Sequence, residues 1–166
     1  MAATTQINQF TGTNAATEQA DVSTIYWMSA DVVSNTTNRD ANPITIPGAG
    51  TDYSYENWQQ LEITGGTFTS ADTFRHYIDA APGSGRTIFT SAQTGTPSNP
   101  SGTTPVDTNS TIADQAMPTT DPAASTINGS LTGVGSTGYV VTQLDVASTA
   151  TAGFSGTLTW AWDEVV

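Results

Sequence analysis

The sequence predicts an all-β protein: an antiparallel β-sandwich, jelly-roll-like in its winding, in a single domain over residues 1–166. Three observations lead there. β-Branched residues dominate, with threonine alone at 32 of the 166 positions. Apolar residues recur at period two, the spacing of a half-buried strand, and helical spacing is hard to find. Gly, Pro, Asn and Ser interrupt every apolar run within about ten residues, the rhythm of sandwiches and barrels.

Taken in order, the first twenty residues, MAATTQINQFTGTNAATEQA, lack turn punctuation and strong periodicity. They predict an extended N-terminal arm that orders against a partner, with Ile7 and Phe10 as apolar anchors. STIYWMSADVV (23–33) alternates Ile25 and Trp27 against Tyr26 and Met28 and predicts a strand. NPITIP (42–47) is bracketed by Pro43 and Pro47, which cannot donate to a ladder, so a short edge strand is expected. ENWQQLEITGG (56–66) sets Leu61 and Ile63 on one face against Trp58 and Gln60, and Gly65-Gly66 turns the chain. DTFRHYIDA (72–80) puts Phe74, His76 and Ile78 opposite Arg75, Tyr77 and Asp79, and GRTIFTSA (85–92) is a further strand.

From 93 to 126 the composition shifts to Pro, Ser and Thr with few large apolar groups, which predicts a long loop. A loop of this length on a small β domain is expected to contact something, and Pro97, Pro100, Pro105, Ile112 and Met117 are its candidate contact residues. After a turn at Asn128-Gly129, YVVTQLDVAS (139–148) and SGTLTWAWDEVV (155–166) form the clearest strand pair, joined by TATAGF. In the last strand Leu158, Trp160 and Trp162 share a face, with Thr157, Thr159, Ala161 and Asp163 on the other.

Charge excludes several functions. Three arginines and no lysine stand against 15 acidic residues, a formal net charge of −12. That removes the cations a nucleic-acid backbone or an anionic membrane would need. With no cysteine there is no disulfide framework, thiolate nucleophile or thiolate metal site, so stability must come from packing or assembly. The N-terminus has no basic and apolar signal-peptide pattern, and no run approaches the ~18 apolar residues of a membrane span. The expected origin is the cytosol, with release from the cell as part of a particle freed by lysis.

No motif carries chemistry. GVGSTG (133–138) matches the dinucleotide fingerprint by letter, but a β-run follows where a phosphate-holding helix is required, so a glycine-rich hairpin is the better reading. His76 is the only histidine and lies mid-strand, with no nucleophile-elbow sequence anywhere, which makes it a structural residue. Asp163 and Glu164 are adjacent on a strand, point to opposite faces, and so cannot flank one glycosidic bond. DTNSTIAD (107–114) is rich in oxygen ligands, but Ile112 occupies the position where a calcium loop needs glycine. The glycosylation sequons at Asn35, Asn109 and Asn128 are what a chain rich in Asn, Ser and Thr produces by chance. Trp27, Trp58, Trp160 and Trp162 all fall in predicted strands, and core packing is preferred to a sugar-stacking platform. No catalytic residue, cofactor or metal site is therefore expected.

Two passages, NPITIPGAGTDYSYENWQQLEITGGTFTSADTFRHYID (42–79) and YVVTQLDVASTATAGFSGTLTWAWDEV (139–165), resemble a family of phage-encoded virion proteins. The resemblance covers nearly all of the chain from Asn42 except the long loop. It departs from the family pattern at His76, where an aromatic residue is usual, and at Trp160 and Trp162, where Phe and Tyr are usual. It implies a β-sandwich decoration, cement or tail-associated protein. The expected function is thus a non-enzymatic subunit that stabilises a phage head through contacts with the major capsid protein or other virion proteins, as a homo-oligomer on the particle. The alternative is a receptor- or glycan-binding module of a tail fibre.

Overall fold

The computed structural model describes residues 2–12, 16–94, 105–107, 113–127 and 129–166. The chain is nearly all β, and its strands pair antiparallel in two sheets. The strands are β1 (Thr4–Thr11), β2 (Thr17–Gln19), β3 (Thr51–Tyr53), β4 (Asn57–Gly65), β5 (Ser70–Ile78), β6 (Arg86–Gln93), β7 (Gln115–Ala116), β8 (Gly135–Ser136), β9 (Tyr139–Ala147) and β10 (Leu158–Val165). The large sheet runs β2-β1-β4-β9-β6-β7, with β3 beside β9 and β8 beside β4; β5 and β10 form a two-stranded sheet of their own.

The two sheets are joined by shared core. Leu61 and Ile63 of β4 and Val140 of β9 pack with Ala71 and Phe74 of β5, with Trp160 and Trp162 of β10 alongside. Further along, Ile88, Leu144 and Val146 meet Ile78 and Leu158. Alternation explains both contacts, since every second residue of β4 and β9 faces the small sheet. The opposite face of the large sheet carries a separate cluster, Phe10, Trp58, Ala113 and Val141. With both faces covered, β9 is buried along almost its whole length, and its run of valines reads as a two-sided core strand.

The small sheet contains one irregularity that matters for packing. β5 and β10 lose register between Ala161 and Asp163, and Thr73 there takes φ +52°, a left-handed conformation unusual for a β-branched residue. The bulge inserts a residue into β5 and so lets Ala71 and Phe74, three apart in sequence, both bury completely.

Several expectations are corrected. The N-terminal segment is no free arm: β1 pairs with β4 from Thr4↔Gly65 to Phe10↔Trp58, and β2 closes the sheet edge on it. Its polar residues hid the strand, because Gln9 is buried and accepts from the Ser34 amide, and Asn8 is buried beside Glu18 and Glu62. Residues 23–33 and 42–47 form no strand. The first is an irregular segment laid across the inner face of the large sheet, where Trp27 packs against the core and donates its indole N–H to Thr142 Oγ1 at 3.1 Å. Between the two lies the only helix among the described residues, α1 (Thr36–Ala41), capped by Asn35 Oδ1 accepting from the Asn38 amide. Lastly, β9 and β10 do not pair with each other. β9 lies between β4 and β6, whereas β10 crosses to pair with β5.

The segment from 113 to 127 is also more than a loop. β7 pairs with β6, the Ile78 amide donates to Pro118 O, and Phe74 O accepts from Thr126 and Ile127. This stretch therefore bridges the edges of the two sheets and closes one side of the body.

Candidate functional site

The three arginines divide into two environments. Arg75 is buried between Asp163, at 3.0 Å from its Nη1, and Asp121, at 3.0 Å from its Nε, and ties β5 to β10 and to the 113–127 segment. The other two, Arg39 and Arg86, line a cleft of about 630 Å³. One wall of it is the segment around Tyr26 and Trp27, another is Pro43–Ile46, and the third is the β9–β10 connection around Phe154. Leu144 and Val146 of β9 form part of its lining. The cleft exists because β10 leaves β9 for the other sheet: the connection must cross the mouth between the sheets.

Electrostatically the two arginines differ. Arg39 is exposed, pairs with Asp40 at 2.7 Å, and holds its guanidinium 5.1 Å from the centre of the Tyr26 ring, a cation–π arrangement. Asp40 beside it raises the Arg39 pKa further above its usual value. Arg86 is half-buried, its Nη1 contacts Pro82 O at 3.4 Å, and among the described residues it makes no ion pair. Asp52 stands behind the rim and accepts from Thr45 Oγ1 and from the Tyr53 amide.

A second cavity of about 270 Å³ shares Thr24, Ile25, Trp27 and Gly156 with the first. Trp160 lines its far side, and so does Gln59, which is buried and whose Oε1 meets no hydrogen-bond partner. A third cavity, about 310 Å³, lies by β6 and the 115–118 segment and is lined by His76 with Thr90, Ser91 and Thr126. His76 is buried, with neither ring nitrogen partnered, and burial lowers its pKa to about 3, so the imidazole is neutral.

The residues singled out in the sequence separate widely. Phe10 is buried in the outer-face cluster and Ile7 packs at the edge of the inner core, so neither is free to anchor a partner. Met117 is likewise buried, packed with Ile88 and Ile78. The apolar character that suggested a contact surface in these three is spent on this chain's own core. Pro105 is half-buried at the outer face of the large sheet, where its neighbour Val106 accepts from Gln143 Nε2. Pro97, Pro100 and Ile112 lie outside the described residues, as does most of 107–114. Asp163 and Glu164 point apart as expected: Asp163 meets Arg75, and Glu164 accepts from the Ala3 amide and, at 3.4 Å, from the Trp162 indole. Gly135-Ser136 of GVGSTG forms β8 against β4 and leads into β9.

Sequence reasoning missed the cleft, whose parts are scattered over positions 24–46, 86 and 152–156. The available signal was charge: in a chain of net charge −12, the place where the few arginines gather is informative. No helix among the described residues is long and apolar enough to cross a membrane. Comparison with protein-family models, with curated proteins and with solved structures finds no match.

Proposed function

We propose that this protein is a non-enzymatic structural subunit of a virus particle, a decoration or cement subunit that stabilises a phage head by binding the major capsid protein and neighbouring copies of itself. The observation that carries the reading is the state of β10. Among the described residues its outer edge pairs with nothing, and at its end Val165 is 56% and Val166 80% exposed. An unpaired eight-residue edge beside exposed valines is the kind of surface that another chain covers. The jelly-roll winding belongs to the same proposal; two antiparallel sheets sharing a core support it.

Quantitative mass spectrometry of purified particles tests the reading. A copy number in fixed proportion to the major capsid protein is expected, with occupancy lowered in a Val165→Asp, Val166→Asp double variant of unchanged melting temperature. A few copies per particle, or none, would overturn it.

A second reading, a glycan-binding module of a tail fibre, is favoured by one observation: two indoles, Trp27 and Trp160, line a common cavity that adjoins the arginine-bearing cleft.

A further inference from the structure

We infer that the arginine-bearing cleft, with the cavity adjoining it, is a site for an acidic oligosaccharide, with a sugar carboxylate at Arg86. The inference rests on the glycan-binding reading and adds to it the charge of the ligand and the residue that selects it.

Three features converge. The cleft of about 630 Å³ lies within the roughly 300–1,000 Å³ of small-ligand sites, and the adjoining cavity extends it past Trp27. Its walls present aromatic faces, Tyr26, Trp27 and Phe154 in the first part and Trp160 in the second, which suit the apolar faces of sugar rings. The cleft also offers an unmatched charge: Arg86 forms no ion pair among the described residues, although the chain carries 15 acidic groups. Its planar fork of donors matches a carboxylate.

Of the other charges near the cleft, Asp40 is paired with Arg39, while Asp52, which accepts from Thr45 and the Tyr53 amide, keeps its charge. A fully neutral sugar would leave Arg86 facing a group that cannot balance it, and a simple carboxylate would not use the indoles.

Titration of the full chain with a glucuronate-containing tetrasaccharide, followed by tryptophan fluorescence and calorimetry, tests the assignment against the same tetrasaccharide with its carboxylates reduced to alcohols. The acidic form is expected to bind at least about tenfold more tightly. Arg86→Gln is expected to abolish that preference while leaving the reduced sugar's affinity unchanged. Equal binding of the two sugars, or a preference that survives Arg86→Gln in a variant of wild-type melting temperature, overturns the acidic assignment and leaves the glycan reading standing. Absence of binding by either sugar overturns both.

Discussion

His76 on β5 lies directly across the ladder from Trp160 on β10, their ring centres 4.6 Å apart and their planes tilted by 46°. The contact seals the imidazole inside the body, where it is fully buried and held neutral.

That burial makes the protein acid-sensitive in a defined window. The pKa of His76 falls from the ordinary 6.5 to about 3 on folding, so between these values the unfolded chain binds a proton that the native chain refuses. The stability contribution is complete above pH 6.5 and is lost as pH falls toward 3, at about 1.4 kcal/mol per pH unit at most. Thermal melts from pH 7.5 to 4 are expected to show a declining melting temperature, and His76→Phe to flatten the decline. An equal slope in the variant would refute the assignment.

Phe10 sits edge-on to Tyr139 with centroids 5.2 Å apart and packs with Trp58 and Val141. Phe10→Ala is expected to cost about 3–5 kcal/mol in urea unfolding, the range for truncating a buried aromatic. Deletion of residues 2–20 is expected to abolish cooperative unfolding, because it strips β1 from β4. A truncated chain that melts like the intact one would restore the free arm.

Arg75 is expected to behave asymmetrically. Its partners Asp121 and Asp163 have side chains 46% and 62% exposed, so replacing either by Asn should cost less than about 1 kcal/mol and less still in high salt. Arg75→Ala also removes a buried stem from between the strands and should cost more than either. Denaturant titrations at two ionic strengths separate the two contributions.

Gly85 has φ +73°, and a Cβ there would lie 2.5 Å from the backbone nitrogen of Ala150, in the chain segment that leads toward the cleft. Gly85→Ala is expected to destabilise by more than about 1 kcal/mol, since backbone must move as well as adopt a disfavoured dihedral. Gly153 also has positive φ but open space around it, so Gly153→Ala should cost less. Parallel melts of the two variants check the difference.

Strands with a regular apolar pattern were legible in the sequence. ENWQQLEITGG, DTFRHYIDA, GRTIFTSA, YVVTQLDVAS and the final TLTWAWDEV all form strands. The common face of Leu158, Trp160 and Trp162 packs on the core, although the indoles remain half-buried at the open edge of the small sheet. The N-terminal strand was not legible, because Gln6, Asn8 and Gln9 find polar partners inside the fold and so break the hydrophobic code. STIYWMSADVV misled in the opposite sense: Met28 is buried and its other apolar residues half-buried by lying on a sheet, which needs no strand geometry. Of the cleft, only the scarcity of arginine gave notice.

By itself the sequence determined the β character of the chain, the faces of its central strands and the opposite directions of Asp163 and Glu164, because period-two alternation is a local property written into neighbouring residues. Which strand pairs with which was decided by the tertiary structure alone. Pairing β9 with β4 and β6, and sending β10 across to β5, depends on which distant surfaces fit together, and that same crossing opened the cleft where Arg39 and Arg86 meet the aromatic wall.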